Sequence, residues 1–260
     1  MRQRFIQSFP TSQDIQSALD NKELGKPYVA LSREEPSIDW NSKGKTIIYS
    51  AMPLTIEALE DGQFKTYSSV EITYSINNGE WVTQTKPVLN LFTGDKVRFK
   101  GNLDNSTRNL FKQNDLRFIV YGNILSLYYG DDFTDKTSGM KEQSLFTDCK
   151  YLMDASNLIL PEILIDNNYS GMFEGCTSLT HAPALPATAL TSGCYQLMFN
   201  GCTNLIYIKC LATSFGDPWS LRNWVNGVAS TGTFVKHPDA TWTTGTSGIP
   251  AGWTVVDAEI

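Results

Sequence analysis

Apolar residues recur at three-residue steps between Leu145 and Ala212, with polar residues between them. Phe146, Cys149, Leu152, Ala155 and Leu158 form one set. Phe173, Cys176, Leu179, Ala182 and Leu185 form a second, and Phe199, Cys202, Leu205, Ile208 and Leu211 a third. The offsets are 27 residues from Phe146 to Phe173 and 26 from Phe173 to Phe199. One unit of this size cannot bury its own apolar side, so each must set its Phe, Cys and Leu on those of its neighbour. The pattern predicts windings that share one continuous spine of these fifteen side chains. The segments before each Phe, Tyr169–Met172 and Tyr195–Met198, are expected as helical turns. Those after each Leu are expected as short strands or extended arcs, closed by Leu160-Pro161 and Leu185-Pro186 because proline leaves the ladder.

The rest of the chain is patterned differently. Residues 46–132 alternate apolar and polar positions, as in Leu54–Ala58 and Val70–Ser75. Asn77-Asn78-Gly79 before Glu80–Thr85 is a hairpin signal. Val97–Lys100, Arg117–Tyr121 and Ile124–Tyr129 are expected as further strands. About seven or eight short strands with frequent turns imply a small β-sandwich. Upstream, residues 11–24 predict a helix capped by Thr11, with Ile15, Ala18 and Leu19 on one face and Gly25 and Pro27 beyond its end. The first 45 residues are too short and too sparsely apolar for a core of their own, and are expected as a helix and an extended docking arm ordered by a partner surface, or else as a floppy leader. Gly130–Lys136 reads as a polar hinge. A repeat of this length with regular leucines places a short leucine-rich solenoid at 139–215. From 216 to 260 the period breaks, and a unit with Trp219, Trp224 and Trp253 is expected to cap the open end; the alternative is a tryptophan-lined ligand site. Trp219–Val225 is expected as helical turns, Gly232–Lys236 and Trp253–Val256 as strands. The fold class is therefore mainly β with short helices.

Composition narrows the function classes. A net charge of −6 over 260 residues lacks the basic footprint of non-specific nucleic-acid binding. No run of 18 apolar residues exists, so no membrane insertion is expected. The N-terminus has positive charge but no apolar core for a secretory signal. All five cysteines, Cys149, Cys176, Cys194, Cys202 and Cys210, fall inside the repeats. Their odd number and shared phase mark small buried hydrophobes, not a disulfide framework.

Catalytic and metal patterns are weak. His181 and His237 lie in no nucleophile elbow or metal motif. Cys194, Cys202 and Cys210 are spaced by eight, which is no zinc spacing. Asp131, Asp132, Asp135 and Glu142 approach a calcium loop, but Phe133 and Lys136 stand where it needs an acid and a glycine. Glu34-Glu35 has no apolar pocket to raise a pKa. No catalytic residue, metal or cofactor is expected. The positions just past the ladder leucines, Asp154, Thr180, His181, Ile206 and Tyr207, are the candidates for outward ligand contact.

The motif Met-Phe-x-Gly-Cys-Thr-x-Leu at Met172–Leu179 and Met198–Leu205, with Leu185-Pro186-Ala187-Thr188-Ala189-Leu190, resembles the BspA-like leucine-rich repeats of surface and adhesive proteins of gut bacteria. The first copy departs from it, with Asp148 for Gly and Lys150 for Thr. This resemblance implies protein or glycan contact and no chemistry. Gly25-Lys26-Pro27-Tyr28-Val29-Ala30-Leu31, followed by Ile38-Asp39-Trp40-Asn41, resembles the opening segment of virion fibre and appendage proteins of crAss-like phages. That resemblance implies a head fibre or tail appendage, assembled in the host cytoplasm and docked on capsid or tail proteins. The docking residues would be Phe5, Ile6, Ile15, Leu19, Pro27, Tyr28, Val29, Leu31 and Trp40. The same resemblance implies a homotrimer whose distal repeats face a host-surface glycan or protein. The alternative is a bacterial cell-surface adhesin or glycan-binding protein.

Overall fold

A computed structural model describes residues 49–67, 70–101, 103, 109–138 and 144–259. The predicted helix at 11–24, the arm and all nine docking residues lie outside the described residues. The chain divides into two compact units, Met1–Met52 and Pro53–Ile260. The second contains every element named below.

The protein is mainly β. Strands β1 (Leu54–Ala58), β3 (Glu71–Ile76), β4 (Val82–Thr85), β6 (Lys96–Lys100), β7 (Phe118–Asn123) and β8 (Leu152–Ile159) form a sheet in the order β4-β3-β6-β1-β7-β8. A two-stranded sheet pairs β2 (Gly62–Lys65) with β5 (Val88–Leu91). The hairpin β3–β4 turns where Asn77-Asn78 predicts it. Both asparagines have positive φ, 50° and 61°, which matches the right-handed twist of the strands. Phe64 of β2 meets Phe99 and Phe118 of the larger sheet at ring-centroid distances of 6.1 and 5.4 Å.

Two expectations fail near the end of this region. Ile124–Tyr129 is not a strand: Ser126–Tyr129 forms a one-turn helix, α1. A short run, apolar but for Ser126, carries no period to tell helix from strand. Here the buried Ser126 hydroxyl decides. It accepts from the Leu54 N–H at 2.9 Å and donates to the Phe99 carbonyl at 2.9 Å, tying β1 to β6. The polar hinge is an ordered 3-10 helix, Gly130–Asp135, which buries Phe133.

From Leu110 onward the chain advances in register. Phe111 N–H donates to the Leu145 carbonyl at 2.9 Å, Phe146 to Met172 at 2.9 Å, Phe173 to Met198 at 2.9 Å and Phe199 to Trp224 at 2.8 Å. Like residues therefore stack. Phe111–Phe146, Phe146–Phe173 and Phe173–Phe199 have ring centroids 5.4, 5.5 and 5.7 Å apart, the last two pairs within 4° and 9° of parallel. Strands hydrogen-bond about 4.7–4.9 Å apart, so the rings slip slightly past one another in offset stacks.

Fourteen of the fifteen predicted spine residues are buried in one hydrophobic cluster that runs on into β1–β7. The exception is Leu211, which is half-buried, while Cys210 is fully buried in its place. The cause is local. In β9 (Tyr207–Cys210) side chains alternate, so Ile208 and Cys210 face inward and the three-residue step to Leu211 is lost. Strand β8 keeps the three-residue step, burying Leu152, Ala155 and Leu158, through register shifts against β7.

The segments expected as helical turns, including Trp219–Val225, are not helical. They are tight turns with residues in the left-handed region at paired positions four apart: Asn109 and Gln113, Ser144 and Asp148, Gly171 and Gly175, Leu197 and Gly201, Asn223 and Gly227. The same backbone thus occurs five times, twice beyond the three copies visible as apolar spacing. The expected break at 216 is also corrected. The 26-residue register runs on from Gly201 to Gly227 and from Ile208 to Phe234. Strand β10 (Thr233–Lys236) pairs in parallel with β9 and with β11 (Thr254–Asp257). Only the pair β10 to β11 shortens the step, to 21 residues between Thr233 and Thr254.

The repeated motif can be explained residue by residue. Phe and Leu fill the spine. Glycine takes the left-handed position, φ 73° at Gly175 and 77° at Gly201, where a side chain would be strained. The thiols of Cys149, Cys176 and Cys202 donate to the carbonyls of Phe111, Phe146 and Phe173 at 2.9, 3.0 and 3.0 Å. Cysteine is thus a small apolar filler that also meets a buried acceptor of the preceding winding.

Replacing Phe173 by Ala should lower unfolding free energy by about 3–5 kcal/mol, read as a lower urea midpoint. Leu211→Ala should cost less than half of that. Equal losses at the two positions would contradict the register described.

Candidate ligand-contact face

The five candidate contact residues come together on the outer side of the parallel ladder. Parallel pairing sets Tyr207 beside His181, and β10 then places Thr233 beside Tyr207. Ala155 N–H to the His181 carbonyl, 3.2 Å, and Thr180 N–H to the Met153 carbonyl, 3.2 Å, put Asp154 beside His181 on the other side. The His181 and Tyr207 rings are 5.8 Å apart. His181 Nδ1 lies 3.0 Å from Thr180 Oγ1 and 3.9 Å from Asp154 Oδ2. Ile206 is exposed, and Asp154, Thr180, His181 and Tyr207 are half-buried.

The row is longer than its five predicted members. Ile119 pairs with Asp154 and with Glu57, which accepts a hydrogen bond from the Tyr121 hydroxyl at 3.2 Å. On the far side it continues through Thr233 to Thr254. These residues carry no repeat signature, and only strand pairing aligns them with Asp154 and His181.

Asp154, His181 and Thr180 contain the residue types of a nucleophile–base–acid set, but not its geometry. Hydroxyl and carboxylate both approach the same nitrogen, Nδ1, whereas such a set needs them on opposite ring nitrogens. The Thr180 hydroxyl is also engaged with the Met153 carbonyl at 3.1 Å. Among the described residues no group of three or more His, Cys, Asp or Glu stands close enough to hold a metal ion.

The five thiols are free and buried. Burial is the main cause that pushes Cys149 up to about 12, Cys194 to about 11 and Cys210 to about 12. Cys176 and Cys202 are raised well above the ordinary value for the same reason. A thiol kept protonated by desolvation is a poor nucleophile. Among the described residues no helix is long and apolar enough to cross a membrane.

No family model, no curated protein and no solved structure matches this chain.

Three measurements check this description. In native protein at pH 8 all five thiols should resist a disulfide reagent and react only on unfolding. Because their folded pKa values are raised, the unfolded chain ionises first. Stability is then fully present below the ordinary thiol pKa of 9.0 and falls as pH climbs from there towards 12. His181→Ala should leave stability within about 1 kcal/mol, measured by thermal melting, because the side chain is half-exposed.

Proposed function

We propose that this chain is a non-enzymatic structural protein of a phage virion, a head fibre or tail appendage. Residues 1–45 dock on capsid or tail proteins, and a β-sandwich over 46–132 spaces the distal part from the particle. A BspA-like leucine-rich solenoid that begins at 139 and runs in register past 216, closed by a capping end at β10 and β11, displays the row from Asp154 to Tyr207 to a host-surface glycan or protein. The observation that carries this reading is the in-register column of like residues. The Phe rings of the Met-Phe-x-Gly-Cys-Thr-x-Leu motif stack one winding apart, and its Cys thiols and Thr hydroxyls donate to carbonyls of the preceding winding. A stack of this kind holds outward side chains at fixed spacing, which suits display better than turnover. The two sheets that meet through Phe64 support the sandwich. The burial of Trp224 and Trp253 beyond the third winding supports the cap.

Deleting residues 1–45 should abolish incorporation into particles while the remainder keeps a cooperative melt. Normal incorporation of the truncated chain defeats the docking role. Recovery of the full chain on bacterial surfaces, and not on particles, would favour an adhesin.

A further inference from the structure

Away from the Asp154–Tyr207 row, the segments around 215–221 and 241–247 enclose a cavity of about 460 Å³. Phe215 and Trp242 line it, with Asp217, Thr241, Thr243 and Ser247. Its volume falls within the ~300–1,000 Å³ of small-molecule sites, and a few polar groups on an aromatic wall are what such sites present.

The wall is pre-formed. Phe215 and Trp242 meet edge to face at 4.5 Å. Trp242 is braced from behind by Trp224 at 5.8 Å and by Phe234 at 5.1 Å. Its indole N–H differs from those of its neighbours. Trp224 donates to the Gly248 carbonyl at 2.8 Å and Trp253 to that of Ala229 at 2.7 Å. Trp242 Nε1 is shielded from solvent and has no acceptor among the described residues. A buried donor without a partner is uncommon in folded proteins.

The polar groups select the class of ligand. A hydrogen bond from the Ser192 side chain, followed by donors from Trp219 and Ser220, holds the Asp217 carboxyl below its ordinary range, so it stays ionised. A carboxylate repels anionic sugars and phosphates. It also has little left to offer a cation. Its Oδ1 already accepts from Trp219 N–H at 2.9 Å and from Ser220 N–H at 3.1 Å, and Arg222 sits with its guanidinium over Trp219 at 4.5 Å. Threonine and serine hydroxyls, which both donate and accept, set beside an aromatic wall fit a neutral polyol with an apolar face.

We propose that this cavity binds a neutral sugar residue of a glycan. It extends the display reading by naming a ligand class and a second place of contact, yet its test requires no particle. The full chain is titrated with neutral hexoses, N-acetylhexosamines and their disaccharides, with uronic and sialic acids, and with choline. Binding is followed by saturation-transfer NMR and calorimetry. At least one neutral sugar should bind with Kd of about 1 mM, an ordinary value for so small a ligand. The double variant Thr241→Ala/Thr243→Ala, at exposed positions, should keep the melting temperature and weaken that binding at least tenfold. His181→Ala should leave it unchanged. The proposal is overturned if no neutral sugar binds, if the acids or choline bind in their place, or if the threonine variant binds as well as the parent. Failure of particle incorporation would sink the virion reading and leave this one standing.

Discussion

Everything in the second unit depends on one constraint: successive turns of the chain return at a fixed offset, so that each residue meets its own kind. With 26 residues per turn, Phe173 lies on Phe199, Tyr169 on Tyr195 and Gly175 on Gly201. No single contact is large. A stacked aromatic pair contributes about 0.5–1.5 kcal/mol beyond its buried area, and a net hydrogen bond about as much. The stability comes from repetition, because one offset satisfies the rings, the thiols and the backbone together. The same dependence makes the stack intolerant of a shift by one residue, which would take each Phe ring off its neighbour and each Cys thiol off its acceptor. The single extra residue between Phe146 and Phe173 falls in the winding that carries β8, and β8 is the strand with register shifts against its neighbour.

An open stack leaves its end faces exposed, and the two ends are covered differently. At the start, Phe111 stacks on Phe146 and also packs on Phe64 and Phe99, so the spine merges with the core of β1–β7. Strand β7 adds backbone pairing to β8 at the same seam. At the other end larger rings take over. Trp224 follows Tyr195 and Phe199, and Phe234 and Trp242 pack around it edge-on and face-on. The step then shortens, the ladder ends at β11, and Phe215 and Trp242 line the cavity there.

Reactive groups sit where they cannot react, while the groups that reach solvent are held in rows. All five thiols are inside, raised by desolvation, and three serve as donors to the winding before them. Outside, Asp154, His181 and Tyr207 are spaced by the ladder itself. Such an arrangement suits recognition, in which positions are fixed in advance and little ordering is left for binding.

The identity of the spine was legible in the sequence because like stacking on like leaves a period that can be read without coordinates. Fourteen of fifteen residues followed it, and the outward phase of Asp154, Thr180, His181, Ile206 and Tyr207 followed from the same period. What tertiary structure alone decided lay where the physical cause is not periodic. Cys210 displaced Leu211 because β9 alternates by two. Ile124–Tyr129 became helical because Ser126 bridges two strands. The turns at Asn109 and Asn223 joined the stack through backbone conformation, which different residues can adopt and apolar spacing does not record. Glu57, Thr233 and Thr254 entered the outer row by strand pairing, and the cavity at Trp242 by the packing of segments whose period had shortened. A repeat announces itself wherever stacked neighbours must be chemically alike; the boundaries of the stack are made by unlike residues, and only their packing reveals them.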